Sequence, residues 1–388
     1  MKILHLSDLH IGLKLHNRDL AEDQRYVFRQ IIKMAKEQLP QAIVIAGDIY
    51  DRAVPSAEAV DFFDWFISSM TEASPKSQIM IISGNHDSGS RLNVFRSVLQ
   101  KRNIHMIGRP PEREADTIEK VVVEDAYGPV NFYLLPFVKP SMVRKIIGTD
   151  SDGRNFSYNT AFQKLLQREN INTSERNILV SHQFFLPPGK KETEIERMDS
   201  EIITVGNIDQ IDGNVLEIFD YAALGHIHKP MRVGSAFYRY CGTPMAYSVS
   251  EAGQEKGAIL VSLGEKGDIE SQVLPLQPLH QVKVIEGSFH DVLKQGCDDY
   301  VTVVLTDKKD LDVIDMQQQI RYKFPNLLEI RRKQQVSFGK QKNLSQKQLE
   351  TPMELCVSFL EQIGRIDSLE DKQKQLLEDV IDTIKEAK

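Results

Sequence analysis

A chain of 388 residues with 41% hydrophobic and 27% charged side chains can build a large core and fill two or three domains. The formal net charge of −7 excludes a global basic field, so contact with a polyanion would go through local basic patches or metal ions. Cys241, Cys297 and Cys356 are odd in number and far apart, which excludes a disulfide framework and fits a reducing compartment.

No apolar run is long enough to cross a bilayer, and the N-terminus reaches His5 and Asp8 with no signal-peptide pattern. The expectation is a cytoplasmic protein with no membrane partner. Lys2 to Leu6 predicts a first strand, followed at once by Ser7-Asp8-Leu9-His10. Asp8 and His10 are two apart, so an extended segment would point both to one side. Leu20 to Leu39 predicts a helix ended by Pro40. Ala42 to Ala46 is a second buried strand, closed by Gly47-Asp48. Pro55-Ser56 starts a helix whose Phe62, Phe63, Trp65 and Phe66 read as core. Ile79 to Ile82 is a third strand, and Gly84-Asn85-His86-Asp87 follows it with an amide oxygen, an imidazole and a carboxylate.

A short helix is expected at Val94 to Leu99, β-rich chain at 104–136, and a helix at Asn155 to Gln167. Asn177 to His182 repeats the pattern of an apolar run ending in a ligand-type residue. Tyr221 to His228 repeats it again, with His226 and His228 flanking Ile227. Lys190 to Glu201 is highly charged and reads as a solvated loop or short helix. Ala258 to Val261 and Gln272 to Leu274 predict closing strands, and Pro275 and Pro278 mark a boundary. Tyr300 to Leu305, Leu311 to Tyr322 and Leu327 to Ile330 predict a small β-α-β unit. Arg331 to Lys347 has six basic residues and no acidic one. Cys356, Phe359, Leu360 and Ile363, then Leu377, Val380, Ile381 and Ile384, have the spacing of two amphipathic helices. No P-loop pattern occurs, so ATP is not expected to bind here by one.

Each strand-end residue alone has an ordinary explanation as a cap, a turn or a core histidine. Five such ends in one chain point instead to a shared site built from Asp8, His10, Asp48, Asn85, His86, His182, His226 and His228. Imidazoles with carboxylates and an amide oxygen suit two divalent ions such as Mn²⁺, Fe²⁺ or Zn²⁺, with Asp48 best placed to bridge them. Two such ions, about 3.5–4 Å apart, can activate water and clamp a phosphoryl group for in-line hydrolysis. His86 is the candidate to act at the scissile phosphate, and Asp87 the candidate to orient it.

These motifs, in this order, resemble the calcineurin-type metallophosphoesterases. Gly84-Asn85-His86-Asp87-Ser88 with Arg91-Leu92, Leu135-Pro136-Phe137, Phe219 to His228, and Arg239 to Pro244 with Tyr247-Ser248 are similar to the bacterial SbcD nuclease family. The resemblance implies an α/β metallophosphoesterase β-sandwich flanked by helices, with a small β-α-β capping domain and C-terminal helices. The expected division is 1–275 for the nuclease domain, 276–335 for the capping, DNA-recognition domain, and 336–388 for a linker and partner-binding helices.

It also implies that Asp8, His10, Asp48 and His228 hold one Mn²⁺, and Asp48, Asn85, His182 and His226 the other, with His86 and Asp87 catalytic. The implied activities are 3′-to-5′ exonuclease on double-stranded DNA and endonuclease on single strands and hairpins. The implied partners are DNA ends, an SbcC-type ATPase and a second copy of the chain, giving a homodimer within a heterotetramer. The homodimer face is expected at 55–70 or 88–100. Archaeal and eukaryotic relatives carry a further histidine after Gly-Asp where this chain has Asp51. Lys14, Arg18, Arg25, Arg91, Arg96 and Arg102 are candidate phosphate contacts. Two other readings compete: a phosphoesterase for small molecules or phosphoproteins, and a non-catalytic scaffold for DNA ends.

Overall fold

In the computed structural model, residues 1–190, 194–195, 197–201, 209–307, 313–333 and 373–376 are described. The stretches expected to form tail helices, 356–363 and 377–384, lie outside these residues. Met1–Lys333 forms one compact unit.

Two six-stranded sheets face each other. The first runs in the order Ile269–Leu276, Lys256–Leu263, Lys2–Leu6, Ala42–Ala46, Gln78–Ile82, Ile104–Ile107. The second runs Met231–Arg232, Tyr238–Tyr240, Tyr221–Gly225, Arg176–His182, Gly128–Leu135, Glu119–Asp125. Within each sheet the central strands are parallel. Their ligand-bearing carboxyl ends therefore lie along one edge, where open α/β sheets place ligands.

The central strands are buried on both faces, which is why they read as continuous apolar runs. Ile3, Val44, Met80 and Ile82 of the first sheet meet Phe132, Leu134, Ile178, Val180 and Tyr221 of the second. The outer face of the first sheet packs on helices Ala21–Gln38 and Ala57–Ala73, where Phe28 contacts Phe62 and Phe66. The outer face of the second packs on Pro140–Ile147 and Tyr158–Arg168. The aromatic stripe is core, as its spacing predicts. Ser56 caps its helix by accepting a bond from the Ala59 N–H at 3.3 Å.

The predicted β-α-β unit is present and larger than its sequence signal. Val282–Gly287 and the short helix Phe289–Leu293 precede Tyr300–Leu305, Val313–Lys323 and Leu327–Arg332, giving three parallel strands over their own core. The first of these strands alternates half-buried and exposed positions after Val282 and follows two prolines, so it gives no run to detect. This smaller sheet is tied to the sandwich by polar contacts. Asp23, buried, accepts bonds from the Tyr300 hydroxyl at 2.8 Å and the His280 N–H at 3.1 Å. Arg18 donates to Asn326 Oδ1 and to the carbonyls of Pro325 and Leu327.

Candidate metal centre

The eight predicted side chains converge. From the first sheet come Asp8 and His10 after Lys2–Leu6, Asp48 after Ala42–Ala46, and Asn85 and His86 after Gln78–Ile82. From the second come His182 at the end of Arg176–His182, and His226 and His228 after Tyr221–Gly225. Asp8, His10 and Asp48 do not continue their strands in extended form. Their φ angles are 52°, 43° and 50°, and His226 is at 102°, all in the left-handed half of the map. The centre is thus reached by left-handed turns rather than by strand alternation.

Asp48 stands in the middle. Its Oδ2 is 3.3 Å from His182 Nε2, 3.6 Å from His10 Nε2 and 3.9 Å from His86 Nε2. On one side, His10 Nε2 and His228 Nε2 lie 3.0 Å apart, and Asp8 joins them within a cluster of ligand atoms. On the other, Asn85 Oδ1 is 2.8 Å from His226 Nδ1 and 3.0 Å from His182 Nε2. Burial alone would raise the Asp48 carboxyl, but the His182, His10 and His86 rings outweigh it and hold the group well below the usual carboxylate range. Burial would lower His182, yet the Asp48 charge and hydrogen bond lift it to about 9.

Two observations favour a divalent cation. Asp8 Oδ2 is buried with no hydrogen-bond partner while Oδ1 is bonded to the His226 N–H at 2.9 Å. His10 and His228 also aim ring nitrogens at one another, an arrangement that a shared cation satisfies. Oxygen and imidazole donors without thiolate fit a hydrolytic metal pair rather than a structural zinc site.

The surrounding shell fixes the rings. His182 Nδ1 donates to the Ala46 carbonyl at 2.8 Å, leaving Nε2 for the centre. His86 Nδ1 donates to the Asp51 carbonyl at 2.9 Å, so its Nε2 faces Asp48. The Asp87 carboxylate accepts from the N–H groups of Gly84, Ile49 and Tyr50 at 2.9–3.0 Å, locking the Asp48 and Asn85 turns together. Phe137, from the Leu-Pro-Phe motif, stacks on His226 with ring centroids 6.2 Å apart.

Several contributors were not legible in the sequence. Residues 197–201 are not a solvated surface throughout: Met198 and Glu201 are buried, and of the five Asp199 alone is exposed. Ser200 Oγ is 2.6 Å from His228 Nδ1, Glu201 Oε1 accepts from the His228 N–H at 2.9 Å, and Arg197 Nη2 is 3.4 Å from His226 Nε2. Glu251, fully buried, accepts from Ser200, Ser248, Thr243 and Lys256 at 2.7–2.8 Å. Burial opposes its charge, but His228 and Lys256 hold it well below the usual carboxylate range. The pairings of 197–201 with His226, His228 and Glu251 are long-range and leave no local spacing signal.

Among the basic candidates, Arg18 is bonded to the smaller sheet. Arg25 lies over the Trp65 ring at 4.3 Å, and Arg96 pairs with Glu119 at 2.7 Å. Lys14 lines a recess of about 300 Å³ with His16, Asp51, Ser200 and Arg331. Arg91 and Arg102 are exposed.

A helix-flanked double sheet with this centre defines a phosphoesterase of the calcineurin-like class, and the Calcineurin-like phosphoesterase family model matches residues 1–230. The chain belongs to that family, and to its SbcD branch. The SbcD C-terminal model, described as "Type 5 capsule protein repressor C-terminal domain", matches residues 275–363. The chain is 30% identical over 335 residues to the SbcD component of the SbcCD nuclease of Staphylococcus epidermidis, covering 84% of each. Two solved structures align over 70% of this chain and 98% of their own at 12% identity. They are TT1561 of Thermus thermophilus, with a TM-score of 0.39, and a dimetal phosphatase from Danio rerio, with a TM-score of 0.37. Similarity of that size says nothing further about the site. Among the described residues, no helix is long and apolar enough to cross a membrane.

Proposed function

We propose that the protein is a DNA nuclease component that hydrolyses phosphodiester bonds at a centre of two divalent cations, Mn²⁺ by preference. The observation that carries this reading is the convergence of eight ligand-type side chains from two sheets around Asp48. Asp8, His10, Asp48 and His228 would hold one cation, and Asp48, Asn85, His182 and His226 the other. When bound, the pair would supply Lewis acidity and neutralise charge at phosphorus.

The chain's own groups do the rest. His86 keeps Nδ1–H on the Asp51 carbonyl and presents Nε2 to the scissile phosphate, where in its protonated form it gives the Nε2 proton to the leaving oxygen. Its ring is partly open to solvent, with 14% of the side chain exposed, whereas His10 and His182 are fully buried. That difference suits His86 to substrate and the others to cations. Asp87 acts on catalysis through the backbone of the Asn85–His86 turn.

By similarity to the SbcD relative, the activities are 3′-to-5′ exonuclease on double strands and endonuclease on single strands and hairpins. The partner is an SbcC-type ATPase, and the setting is DNA-end processing, recombination and repair in the cytoplasm. Residues 1–275 carry the chemistry, 276–335 cap the DNA, and 336–388 bind the partner. A second copy docks on the exposed apolar patch of Val94, Phe95 and Val98, completing a heterotetramer.

Cleavage assays with linear DNA and with a small aryl phosphodiester, in Mn²⁺, test the reading. Wild-type protein is expected to degrade DNA, and His86→Ala to cut at least about 100-fold more slowly with both metals still bound. Hydrolysis of the aryl ester without any cleavage of DNA would overturn the nuclease assignment.

A further inference from the structure

His226 has two neighbours that make opposite demands on its ring. Its Nδ1 is 2.8 Å from Asn85 Oδ1, on the side of His182 and Asp48, while its Nε2 is 3.4 Å from Arg197 Nη2. A guanidinium has only donors, so Arg197 can bond Nε2 only when that nitrogen carries a lone pair. In a neutral imidazole the proton is then on Nδ1, where it donates to Asn85 Oδ1. A cation on the Asn85 side needs the reverse: a lone pair on Nδ1 and the proton on Nε2, which sets two donors face to face across the Arg197 contact. The Arg197 bond and cation ligation by His226 Nδ1 therefore exclude each other.

Arg197 is well held for such a role. Its Nε is bonded to Glu201, its guanidinium carbon lies 4.5 Å above the Phe184 ring, and only 8% of the side chain is exposed. Among the described residues no guanidinium opposes the other proposed cation site, where His10 Nδ1 is buried without a partner. There His228 Nδ1 meets the Ser200 hydroxyl at 2.6 Å, with Glu251 beyond it, and these acceptors favour the tautomer whose Nε2 lone pair faces His10.

We propose that Arg197 is a positioning residue that holds His226 in its non-ligating tautomer, and so makes the Asn85–His182–His226 site the weaker and more exchangeable of the two cation sites. The inference rests on the reading that these three residues and Asp48 hold a cation, and it does not depend on DNA being the substrate.

Two measurements on the full chain test it. The first is ¹⁵N NMR of the imidazoles in metal-free wild-type protein, which reads the His226 tautomer with no cation present. Nδ1–H is expected, and Nε2–H would overturn the proposal. The second is a two-site Mn²⁺ titration of wild type, Arg197→Met and the double variant Arg197→Met/Glu201→Gln. The double variant avoids leaving Glu201 without its cation.

Both variants are expected to tighten the weaker site about tenfold, in the range typical of groups that orient metal ligands; Arg197→Met alone, which leaves the Glu201 bond to the His228 N–H in place, is expected to keep the stronger site within about twofold. An unchanged or weakened second site in the double variant would overturn the proposal, as would tightening seen only in the single variant, which would assign the effect to the bare Glu201 charge. If wild type binds fewer than two ions while the tautomer is Nδ1–H, the metal-pair reading fails and the Arg197 bond stands.

Discussion

Asp8, His10, Asp48 and His226 occupy backbone conformations that L-residues rarely adopt, each costing about 1–3 kcal/mol. Neighbouring turns hold them there. The Asp8 and His10 N–H groups donate to the carbonyls of Gly47 and Asp48, each at 3.0 Å. The candidate ligands could be picked out in the sequence because each follows an apolar strand directly. Arg197, Ser200, Glu201, Glu251 and Lys256 could not, because each pairs with a residue remote in the chain or lies in a segment whose charge reads as solvated.

His5 lies behind the centre, and its chemistry was also hidden. It is fully buried with Nδ1 3.0 Å from the Tyr221 hydroxyl, and burial pushes its pKa down to about 3. Between pH 6.5 and 3 the unfolded chain binds a proton there that the folded chain refuses. His5 therefore costs stability progressively as pH falls below 6.5 and costs none above it. His5→Asn is expected to flatten the fall in unfolding free energy between about pH 6.5 and 5 by up to about 1.4 kcal/mol per pH unit. Urea unfolding across that range checks it, and parallel slopes for variant and wild type would refute it.

At the level of elements, most of the long strands and helices follow from sequence periodicity to within about three residues at each end, since burial on both faces or on one stripe leaves a strong pattern; the helix Pro140–Ile147 was not anticipated. The missed strand Val282–Gly287 and the short strands Phe184–Leu186 and Gln210–Asp212 are too brief or too exposed to leave one. The turns between strand and ligand are tighter than pattern alone suggests. A Cβ on Gly84 would lie 2.0 Å from Asp48 Oδ1 and 2.4 Å from Asp48 N, and one on Gly225 would lie 2.0 Å from the Ala46 carbonyl. Gly84→Ala must therefore displace the central carboxylate. The expected outcome is a loss of about 1–3 kcal/mol in stability together with loss of bound metal, read by thermal unfolding and by metal analysis of the purified protein. A variant that keeps both ions at wild-type affinity would show that Asp48 tolerates the shift.

Across the whole molecule, the smaller sheet is secured to the sandwich through Arg18 and Asp23, contacts that composition and periodicity do not disclose. The proposed pairing of two copies belongs to this scale as well. Phe95 is 73% exposed, Val94 53% and Val98 61%, a few residues beyond the turn that carries Asn85 and His86. Phe95→Glu is expected to weaken self-association of the full chain at least tenfold by sedimentation equilibrium, and an unaltered mass distribution would remove that face from consideration.

The split of the ligands between the two sheets has a consequence of its own. Of the seven proposed ligands, four lie at or just after strand ends of one layer and three at those of the other, so neither layer carries every donor on its own. Any cation held between them would act as a rivet through the sandwich. Slippage of one layer past the other by even a single residue would silence hydrolysis long before the protein came apart.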